Sequence, residues 1–487
     1  MSDPPNAVGQ PAPKSRRLLS NAVWLAGGRM AGDLAGFLLV IVLSRTFGPV
    51  GIGNYAYGFA VASLIYAFVN LTMEDYAIRE CARLDREART ELLGGLLGAQ
   101  LPLAALCSML LFGYVWFVDR ASASGPIVLL LTGYQVAFAL ARTLFVPAIA
   151  RQHMLAPAIT ELTCRLLAIG GTTGLVLFAG TPLTLALAPF PLAGLLLCLV
   201  AAISARRHNG RITVRFGWSR TLTLVGILWP FAASTIVYNV YSRADLIMLA
   251  WIRGEAAAGL YAPSLKFLEV GSTPLYLLGI AAYPALSLMF SRNRERFGAA
   301  ADSFTRAGLV IGGLIAWAMA YVIPTVLVLT LGEAFRDAVP VVRLMSLLAM
   351  VTATELILVR LLLAAHLQVE RVRLQTWAML LNVSLNLVVI PWLGVIGAVA
   401  ASIVSQGLLA WLYLRALRGT FEMSSLRRAL LQFLMVFGLG AGLGEGIGAF
   451  GGSVEVAAAA ALGCFVVGLA LARFVPLAQL RRSWRTT

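Results

Sequence analysis

The sequence has little charge and almost no lysine. Acidic and basic residues make up 12% of the 487 residues, and the lysines are Lys14 and Lys266. By contrast, 60% of the residues are hydrophobic and the mean hydropathy is +0.85. Soluble globular domains are about 45–50% apolar and about a quarter charged. This composition excludes an ordinary soluble domain and indicates that much of the chain faces lipid.

The sequence also lacks the residue groupings of several enzyme and metal-binding classes. Its five cysteines are odd in number and scattered, so they predict neither a disulfide framework nor a paired-cysteine metal site. Its three histidines are far apart, and neither a GxxxxGK[ST] loop nor a GxSxG motif occurs. We predict no catalytic residue, metal or cofactor. An integral-membrane enzyme of glycan assembly that uses intramembrane carboxylates is the alternative.

The distribution of positive charge predicts topology rather than nucleic-acid binding. The formal net charge is +16, but the arginines recur in short gaps between apolar runs and form no basic domain. If the N-terminus is inside, the inner gaps hold 26 basic residues and the outer gaps hold 4. This asymmetry predicts that both termini are cytoplasmic. The first 20 residues do not have the pattern of a signal peptide.

Long apolar runs predict about fourteen transmembrane helices. A spanning helix needs roughly 20 mostly apolar residues to cross the ~30 Å hydrocarbon core. We predict such helices at about 20–45, 51–78, 92–118, 126–150, 157–178, 182–204, 222–251, 258–290, 299–330, 338–364, 372–391, 394–414, 426–449 and 455–475. No gap between them is long enough to fold as a soluble domain. The function must therefore be carried out within or across the membrane.

The chain contains an internal repeat with a separation of 206 residues. Residues 43–56 read LSRTFGPVGIGNYA and residues 249–262 read LAWIRGEAAAGLYA. The identical positions are Leu43/Leu249, Gly48/Gly254, Gly53/Gly259, Tyr55/Tyr261 and Ala56/Ala262. Both stretches join the first two helices of a six-helix unit, and an even helix count keeps the two units in the same orientation. We therefore predict an all-α polytopic membrane protein with two six-helix bundles, related by a pseudo-two-fold axis along the membrane normal, and two C-terminal helices.

The predicted domain boundaries follow from this arrangement. They are a cytoplasmic tail at 1–17, the N-terminal bundle at 18–205, a cytoplasmic basic linker at 206–221, the C-terminal bundle at 222–418, helices 13 and 14 at 419–475, and a cytoplasmic basic tail at 476–487.

Ionisable side chains inside the predicted spans are the candidate functional residues. Each costs roughly 2.5–3.5 kcal/mol at the centre of a span on insertion scales, so it normally faces a cavity or a partner. A hydrated cavity lined by the first two helices of each half would offer as substrate-binding candidates Arg29, Asp33, Asn239, Arg243 and Lys266. Arginine suits phosphate, because its planar guanidinium can donate two hydrogen bonds to phosphate oxygens. The candidates for ion coupling are Asp33, Glu74 and Asp75.

A structural role for these charges is the alternative. Residues three or four apart share a helix face and can neutralise each other. Pairs with this spacing are Arg29/Asp33, Glu161/Arg165 and Lys266/Glu269. Pro263 and Pro274 bracket the last of these pairs, and prolines often kink membrane helices, so we predict that the eighth helix bends during transport.

Three stretches resemble a known family of membrane transporters. LSRTFGPVGIGNYAYGFAVASLI at 43–65 resembles the helix 1–helix 2 signature of the polysaccharide transporter branch of the multidrug/oligosaccharidyl-lipid/polysaccharide exporter superfamily. LLNVSLNLVVIPWLGVIGAVAASIVSQ at 380–406 matches more strongly, with the pattern N-x3-N-x4-P-x2-G-x2-GA, and LGEAFRDAVPVVRLMSLLAM at 331–350 resembles the loop before helix 10. With the helix count and the repeat, the resemblance covers nearly the whole chain.

The resemblance implies a function and a set of partners. It implies two bundles around a central cavity that opens alternately to each side, and an undecaprenyl-diphosphate-linked oligosaccharide moved from the inner to the outer leaflet of a bacterial cytoplasmic membrane. The expected partners are this polyprenyl-diphosphate-linked glycan, membrane lipid, and a polysaccharide polymerase with glycosyltransferases; nucleic acid is not expected. By analogy, Arg29, Asp33, Arg243 and Lys266 would handle the diphosphate and any acidic sugars. The competing functions are a peptidoglycan lipid-precursor flippase and a drug/cation antiporter of the same superfamily.

Overall fold

The computed structural model describes residues 15–117, 123–151, 153–420, 424–449 and 453–471. The helices are α1 (Ser15–Asn70), α2 (Met73–Cys81), α3 (Arg86–Phe117), α4 (Ser124–Ala150), α5 (Leu155–Ala179), α6 (Leu183–Ala186), α7 (Pro189–Asn209), α8 (Trp218–Arg253), α9 (Glu255–Gly271), α10 (Thr273–Arg292), α11 (Arg294–Trp317), α12 (Ile323–Leu331), α13 (Val339–Ala364), α14 (Gln368–Ala416), α15 (Ser424–Ala449) and α16 (Val454–Leu471). A π-helical turn, Ala318–Val322, joins α11 to α12, and a 3₁₀ turn, Glu333–Ala338, joins α12 to α13. The described residues contain no strand, which confirms the predicted all-α class.

Two of these helices are long because each runs through a kink at a glycine. α1 bends at Gly48, where φ is +64°, and α14 bends at Gly394, where φ is +56°. Glycine adopts this left-handed conformation readily because it has no Cβ. α14 therefore contains two of the predicted spans, and α1 contains the first predicted span and most of the second.

The described residues contain ten helices long and apolar enough to cross a membrane, or eleven if the two legs of α8 count as one span. The chain is thus a multi-pass membrane protein, as the sequence predicts. The exact number of fourteen stays a prediction. Residues 1–14 and 476–487 of the predicted tails lie outside the described residues.

The predicted eighth span is divided into α9 and α10 at Ser272. Pro274 lies in the first turn of α10, where a missing backbone N–H leaves no intrahelical hydrogen bond unmade. If α9 continued through residue 274, the missing N–H of Pro274 would interrupt its backbone hydrogen bonds. The structure therefore has a break where proline was expected to bend the helix, and movement of this helix during transport stays a prediction.

The chain forms two compact units, which differ in their boundaries from the predicted six-helix bundles; those bundles stay a prediction. The first unit comprises residues up to Leu39, Phe68–Leu111 and Gly133–Trp229. Small residues allow its helices to approach closely, as is common in membranes. A Cβ on Gly194 of α7 would press against the side chain of Ala137 on α4, and the ring of Tyr134 meets Phe190 edge-on with centroids 5.4 Å apart.

The second unit comprises Val40–Ala67, Phe112–Thr132 and all residues from Pro230. α11 packs on α13 through Gly308 and Gly312, where added methyl groups would overlap Ile357 and Ala353. The same helix receives α15 and α16, whose rings Phe433 and Phe465 meet edge-on at 6.0 Å.

The segment 210–217, which lies within the predicted basic linker, is extended and lies across the start of α3 in the first unit. The N–H of Arg215 donates to the carbonyl of Gly94 at 3.0 Å, and its guanidinium pairs with Glu91 at 2.6 Å. Any side chain on Gly94 or Gly98 would overlap the backbone of this segment. Two glycines on one face of α3 therefore form a slot for the linker.

Candidate functional site

The first unit contains an ion-pair cluster made of Asp33, Glu74, Arg142, Glu161 and Arg165. Arg142 on α4 bridges two carboxylates: its Nε donates to Glu74 at 2.7 Å and its Nη1 donates to Glu161 at 2.9 Å. Arg165 on α5 pairs with Asp33 on α1, with 3.1 Å between Nη2 and Oδ1. The cluster joins four helices and contains three acids and two bases, so it carries one net negative charge when all its members are ionised.

Local sequence explains how the cluster is positioned. Gly32 leaves space for Arg165, because a Cβ at Gly32 would lie 2.7 Å from Nη1 of that side chain. Glu74 lies in the first turn of α2, directly after Leu71 and Thr72, which have positive φ angles of 40° and 56°. An acidic residue is favourable in a first turn, because the helix dipole is positive there. This turn directs Glu74 into the unit, where its side chain is 7% exposed.

The structure brings some of the predicted first-half residues together. Asp33 and Glu74 both belong to the cluster, but Glu161 and Arg165 take partners on other helices instead of each other. Asp75 is exposed. The backbone of Arg29 lies in α1, and its side chain lies outside the described residues.

The second unit contains a basic cluster made of Arg243, Lys266 and Glu269. Nζ of Lys266 lies 2.9 Å from Glu269, within α9 as the i, i+3 spacing predicts. Nη1 of Arg243 on α8 lies 3.7 Å from the same carboxylate. Two bases share one acid, which leaves one net positive charge, and all three side chains are partly exposed.

Asn239 is not part of this basic cluster in the described contacts. Its Nδ2 donates to the carbonyl of Thr235 on its own helix at 2.9 Å. Its role in substrate binding stays a prediction.

A buried carboxylate, Asp245 on α8, forms a polar site that is absent from the predicted site residues. Its Oδ1 accepts a hydrogen bond from Nδ2 of Asn386 at 2.5 Å. Its Oδ2 accepts hydrogen bonds from the hydroxyl groups of Ser402 and Tyr261. Asp245 is 9% exposed and makes no ion pair with a described basic residue. Oδ1 of Asn386 is buried without a described donor, so the site retains an unsatisfied acceptor beside a negative charge.

This site depends on the kink in α14. Asn382 and Asn386 lie before Gly394 and Ser402 and Ser405 lie after it, so both legs of α14 contribute. Asn382 donates from Nδ2 to Oγ of Ser405 at 3.2 Å, which joins the two legs. The i, i+4 spacing of the asparagines and the apolar surroundings of Asp245 were signals of such a site in the sequence.

The two repeat segments cross each other symmetrically in the second unit. Gly48 and Gly254 both have positive φ, 64° and 85°, and each precedes a new helical segment. A Cβ on Gly53 would overlap the carbonyl of Glu255, and a Cβ on Gly259 would overlap the carbonyl of Pro49. Each contact is the repeat-related copy of the other, because Gly53 and Gly259 are 206 residues apart, and so are Pro49 and Glu255. We call this contact the glycine crossing.

Comparisons with known proteins support the resemblance. Residues 18–290 match the model of the family described as polysaccharide biosynthesis protein. A search of curated protein sequences finds no significant match.

Solved structures show the same fold at low sequence identity. A structure of the lipid II flippase MurJ in an inward closed conformation has a TM-score of 0.70 and 11% identity, over 92% of this chain and 98% of that one. An inward-facing multidrug resistance MATE transporter of the MOP superfamily has a TM-score of 0.60 and 14% identity, over 79% and 94%. A MOP superfamily transporter from Pyrococcus furiosus, with a binding pocket of reversed polarity, has a TM-score of 0.53 and 14% identity, over 83% and 98%. The predicted all-α polytopic membrane fold is confirmed, and because the family model covers more than half of the chain, the protein belongs to the polysaccharide biosynthesis protein family.

Proposed function

We propose that this protein is a flippase. It moves a polyprenyl-diphosphate-linked oligosaccharide from the inner to the outer leaflet of the bacterial cytoplasmic membrane by alternating access, with both termini in the cytoplasm. The family match supports a role in polysaccharide biosynthesis. The observation that carries the proposal is the basic cluster of the second unit, where Arg243 and Lys266 share the carboxylate of Glu269.

The physical problem is the hydration of the diphosphate and sugars. Moving these groups through hydrocarbon without compensation is prohibitive, because each charge and hydroxyl loses its water. Arg243 and Lys266 can replace that hydration with charge-assisted hydrogen bonds. Glu269 holds both cations in place until a phosphate binds. The polyprenyl tail needs no such site, since it stays in lipid.

The ion-pair cluster of the first unit fits the sugar portion better than the diphosphate. Its three carboxylates and two guanidinium groups offer both acceptors and donors, and its net charge disfavours a second anion. Asp33 and Arg165 are each more than a third exposed. We assign the diphosphate to the basic cluster of the second unit.

Asp245 is the carboxylate best suited to bind a coupling cation. Asp33 and Glu74 are paired with arginines, so a proton or sodium ion must compete with a guanidinium there. Asp245 has hydroxyl and amide donors as partners, and the unsatisfied oxygen of Asn386 lies beside it. Asp33, Glu74 and Asp75 remain the candidates to compare with it.

A flipping assay in proteoliposomes tests the proposed function. Three fluorescent probes are reconstituted separately: a polyprenyl-diphosphate oligosaccharide, a peptidoglycan lipid precursor and a cationic dye. Wild type is compared with Arg29→Ala and Arg243→Ala, and with Arg336→Ala as the matched control. Arg336 also pairs with a glutamate, but both partners are 71% exposed.

We expect movement of the polyprenyl-diphosphate oligosaccharide in wild type and in the control, and its loss in Arg243→Ala. Preference for the peptidoglycan precursor would favour the first alternative function. Dye transport without glycolipid movement would favour a drug antiporter. Chemical conversion of a glycolipid by the purified protein would instead identify an enzyme of glycan assembly.

A further inference from the structure

Arg360 is a charged residue of a predicted span to which the proposed function gives no role. It lies near the C-terminal end of α13 and is partly exposed. Among the described residues it makes no ion pair. Intramembrane arginines are costly and normally have a partner or face a hydrated cavity. Its neighbours on α10 therefore indicate what kind of group the charge of Arg360 can bind.

The face of α10 that receives Arg360 is built for it. Gly279 has no side chain, and a Cβ there would lie 2.8 Å from Nε and 3.0 Å from Cγ of Arg360. Cζ of Arg360 lies 5.1 Å from the ring centroid of Tyr276, one turn earlier on the same face. This distance is within the range of a cation–π contact. No described residue accepts a hydrogen bond from the N–H groups at the edge of the guanidinium.

A cavity of about 440 Å³ continues along the same two elements. It is lined by Tyr283, Pro284, Ser287, Leu288 and Ser291 of α10 and by His366, which follows α13. Tyr283 lies four residues after Gly279, about 6 Å further along the helix axis, so the cavity begins about one turn from the guanidinium. We call the surface formed by Tyr276, Tyr283, Ser287, Arg360 and His366 the α10–α13 notch.

The mouth of the notch is basic. α10 ends at Arg292, and the next residue but one, Arg294, lies over Phe290 with Cζ 3.5 Å from the ring centroid. His366 contacts the same ring, with centroids 6.0 Å apart. The stretches 292–296 and 371–373, which follow the eighth and tenth predicted spans, hold five arginines, which is the charge pattern of the predicted cytoplasmic side. An anion at the inner membrane surface would meet this mouth first.

We propose that the α10–α13 notch binds a phosphate-bearing lipid headgroup, with Arg360 as the cation that anchors the phosphate and with the hydroxyls of Tyr283 and Ser287, about one and two turns further along α10, as donors to the rest of the headgroup in the cavity. Phosphate matches the site because it has several acceptor oxygens and can receive two hydrogen bonds from the edge of one guanidinium. The notch lies on α10 and α13, whereas the basic cluster lies on α8 and α9, so this is a second site. The occupant is either a phospholipid or the polyprenyl diphosphate before it reaches the basic cluster; only the second identity rests on the proposed function.

Photolabelling of the full chain tests the notch. The protein is placed in phosphatidylcholine nanodiscs and irradiated with a farnesyl diphosphate analogue that carries a diazirine beside the diphosphate. Labelled peptides are mapped by mass spectrometry. The variants are Arg360→Gln, Arg360→Lys and Arg343→Gln, the last being a matched control because Arg343 is an exposed arginine near the other end of α13.

We expect label between residues 276 and 291 in wild type and in Arg343→Gln. Loss of a charge-assisted bidentate contact should lower labelling about tenfold in Arg360→Gln, with partial recovery in Arg360→Lys. Equal labelling of this segment in wild type and Arg360→Gln, or label confined to α8 and α9, would overturn the proposal. If Arg360→Gln does not fold, the double variant Tyr283→Phe/Ser287→Ala replaces it, and unchanged labelling in that variant has the same consequence.

Competition identifies the source of the phosphate. Displacement by phosphatidylglycerol in the nanodisc identifies a phospholipid site, whereas displacement by unlabelled farnesyl diphosphate alone identifies a substrate site. Either outcome supports the notch. Failure of glycolipid flipping with labelling intact would refute the proposed function and leave the phosphate site standing.

Discussion

Substitution of Gly259 by alanine should separate the two backbone segments that meet at the glycine crossing. In the structure the carbonyl carbon of Pro49 lies 2.6 Å from the position that a Cβ on residue 259 would occupy. Non-bonded carbon atoms normally stay about 3.5–4.0 Å apart, so the two segments must separate by at least about 1 Å, and the carbonyl oxygen of Pro49 lies closer still. Both segments are backbone at the point of contact, so no side chain can rotate away.

The magnitude follows from the cost of overpacking. Forcing a methyl group into a close contact costs about 1–3 kcal/mol, which corresponds to a change of about 5- to 150-fold in the equilibrium between closed and open crossing. Asn54 lies beside the crossing and is 5% exposed. A cysteine at this position, in a background without the five native cysteines, should react with a membrane-impermeant maleimide faster in Gly259→Ala than in the parent.

Two further alanine substitutions provide a symmetry test and a control. Gly53→Ala should have the same effect as Gly259→Ala, since the two contacts are repeat-related. Gly407→Ala in α14 should have none, because a Cβ there meets nothing within 4 Å. Equal labelling rates in Gly259→Ala and Gly407→Ala would refute the reasoning, and a difference between Gly53→Ala and Gly259→Ala would refute its symmetry.

Three further substitutions test other parts of the structure. Arg142→Leu leaves the carboxylate of Glu74 buried without its cation, so the free energy of unfolding should fall by about 3–5 kcal/mol. Loss of the exposed Arg336 should leave the thermal unfolding midpoint unchanged. Similar midpoints for the two variants would contradict this. Asp245→Asn keeps the size of the side chain and removes its charge, so transport should lose its dependence on a sodium or proton gradient; a retained dependence in a flipping assay would exclude Asp245 as the coupling site. Pro274→Ala restores an N–H at the break between α9 and α10, so it should slow transport and reduce the change in cysteine accessibility between the two sides; unchanged values for both would exclude a moving break.

The membrane class was predictable because it depends on composition and on apolar run length. Each predicted span needs only local information, namely roughly 20 apolar residues between polar gaps. The Lys266–Glu269 ion pair was predictable for the same reason, since its partners are three residues apart on one helix. The crossing glycines were visible as a repeat, but their contact was not.

The first-unit partners were not predictable from spacing. Asp33 and Arg165 are separated by 132 residues, and Glu74 and Arg142 by 68. Local spacing favours Glu161 with Arg165, but inter-helix packing supplies each of them with a partner on another helix. The Asp245 site required knowledge of the kink at Gly394, because only the folded α14 brings two legs to one carboxylate.

The slot on α3 has a consequence for the order of assembly during synthesis. Gly94 and Gly98 receive residues 213–215, which are made more than a hundred residues later. The face of α3 that they complete therefore stays unfilled while α4, α5 and α7 are inserted. Because synthesis proceeds from the N-terminus, the linker can fill this face only after those three helices have been made. A stretch that the sequence predicts to be a tether thus also acts as a structural part of the first unit.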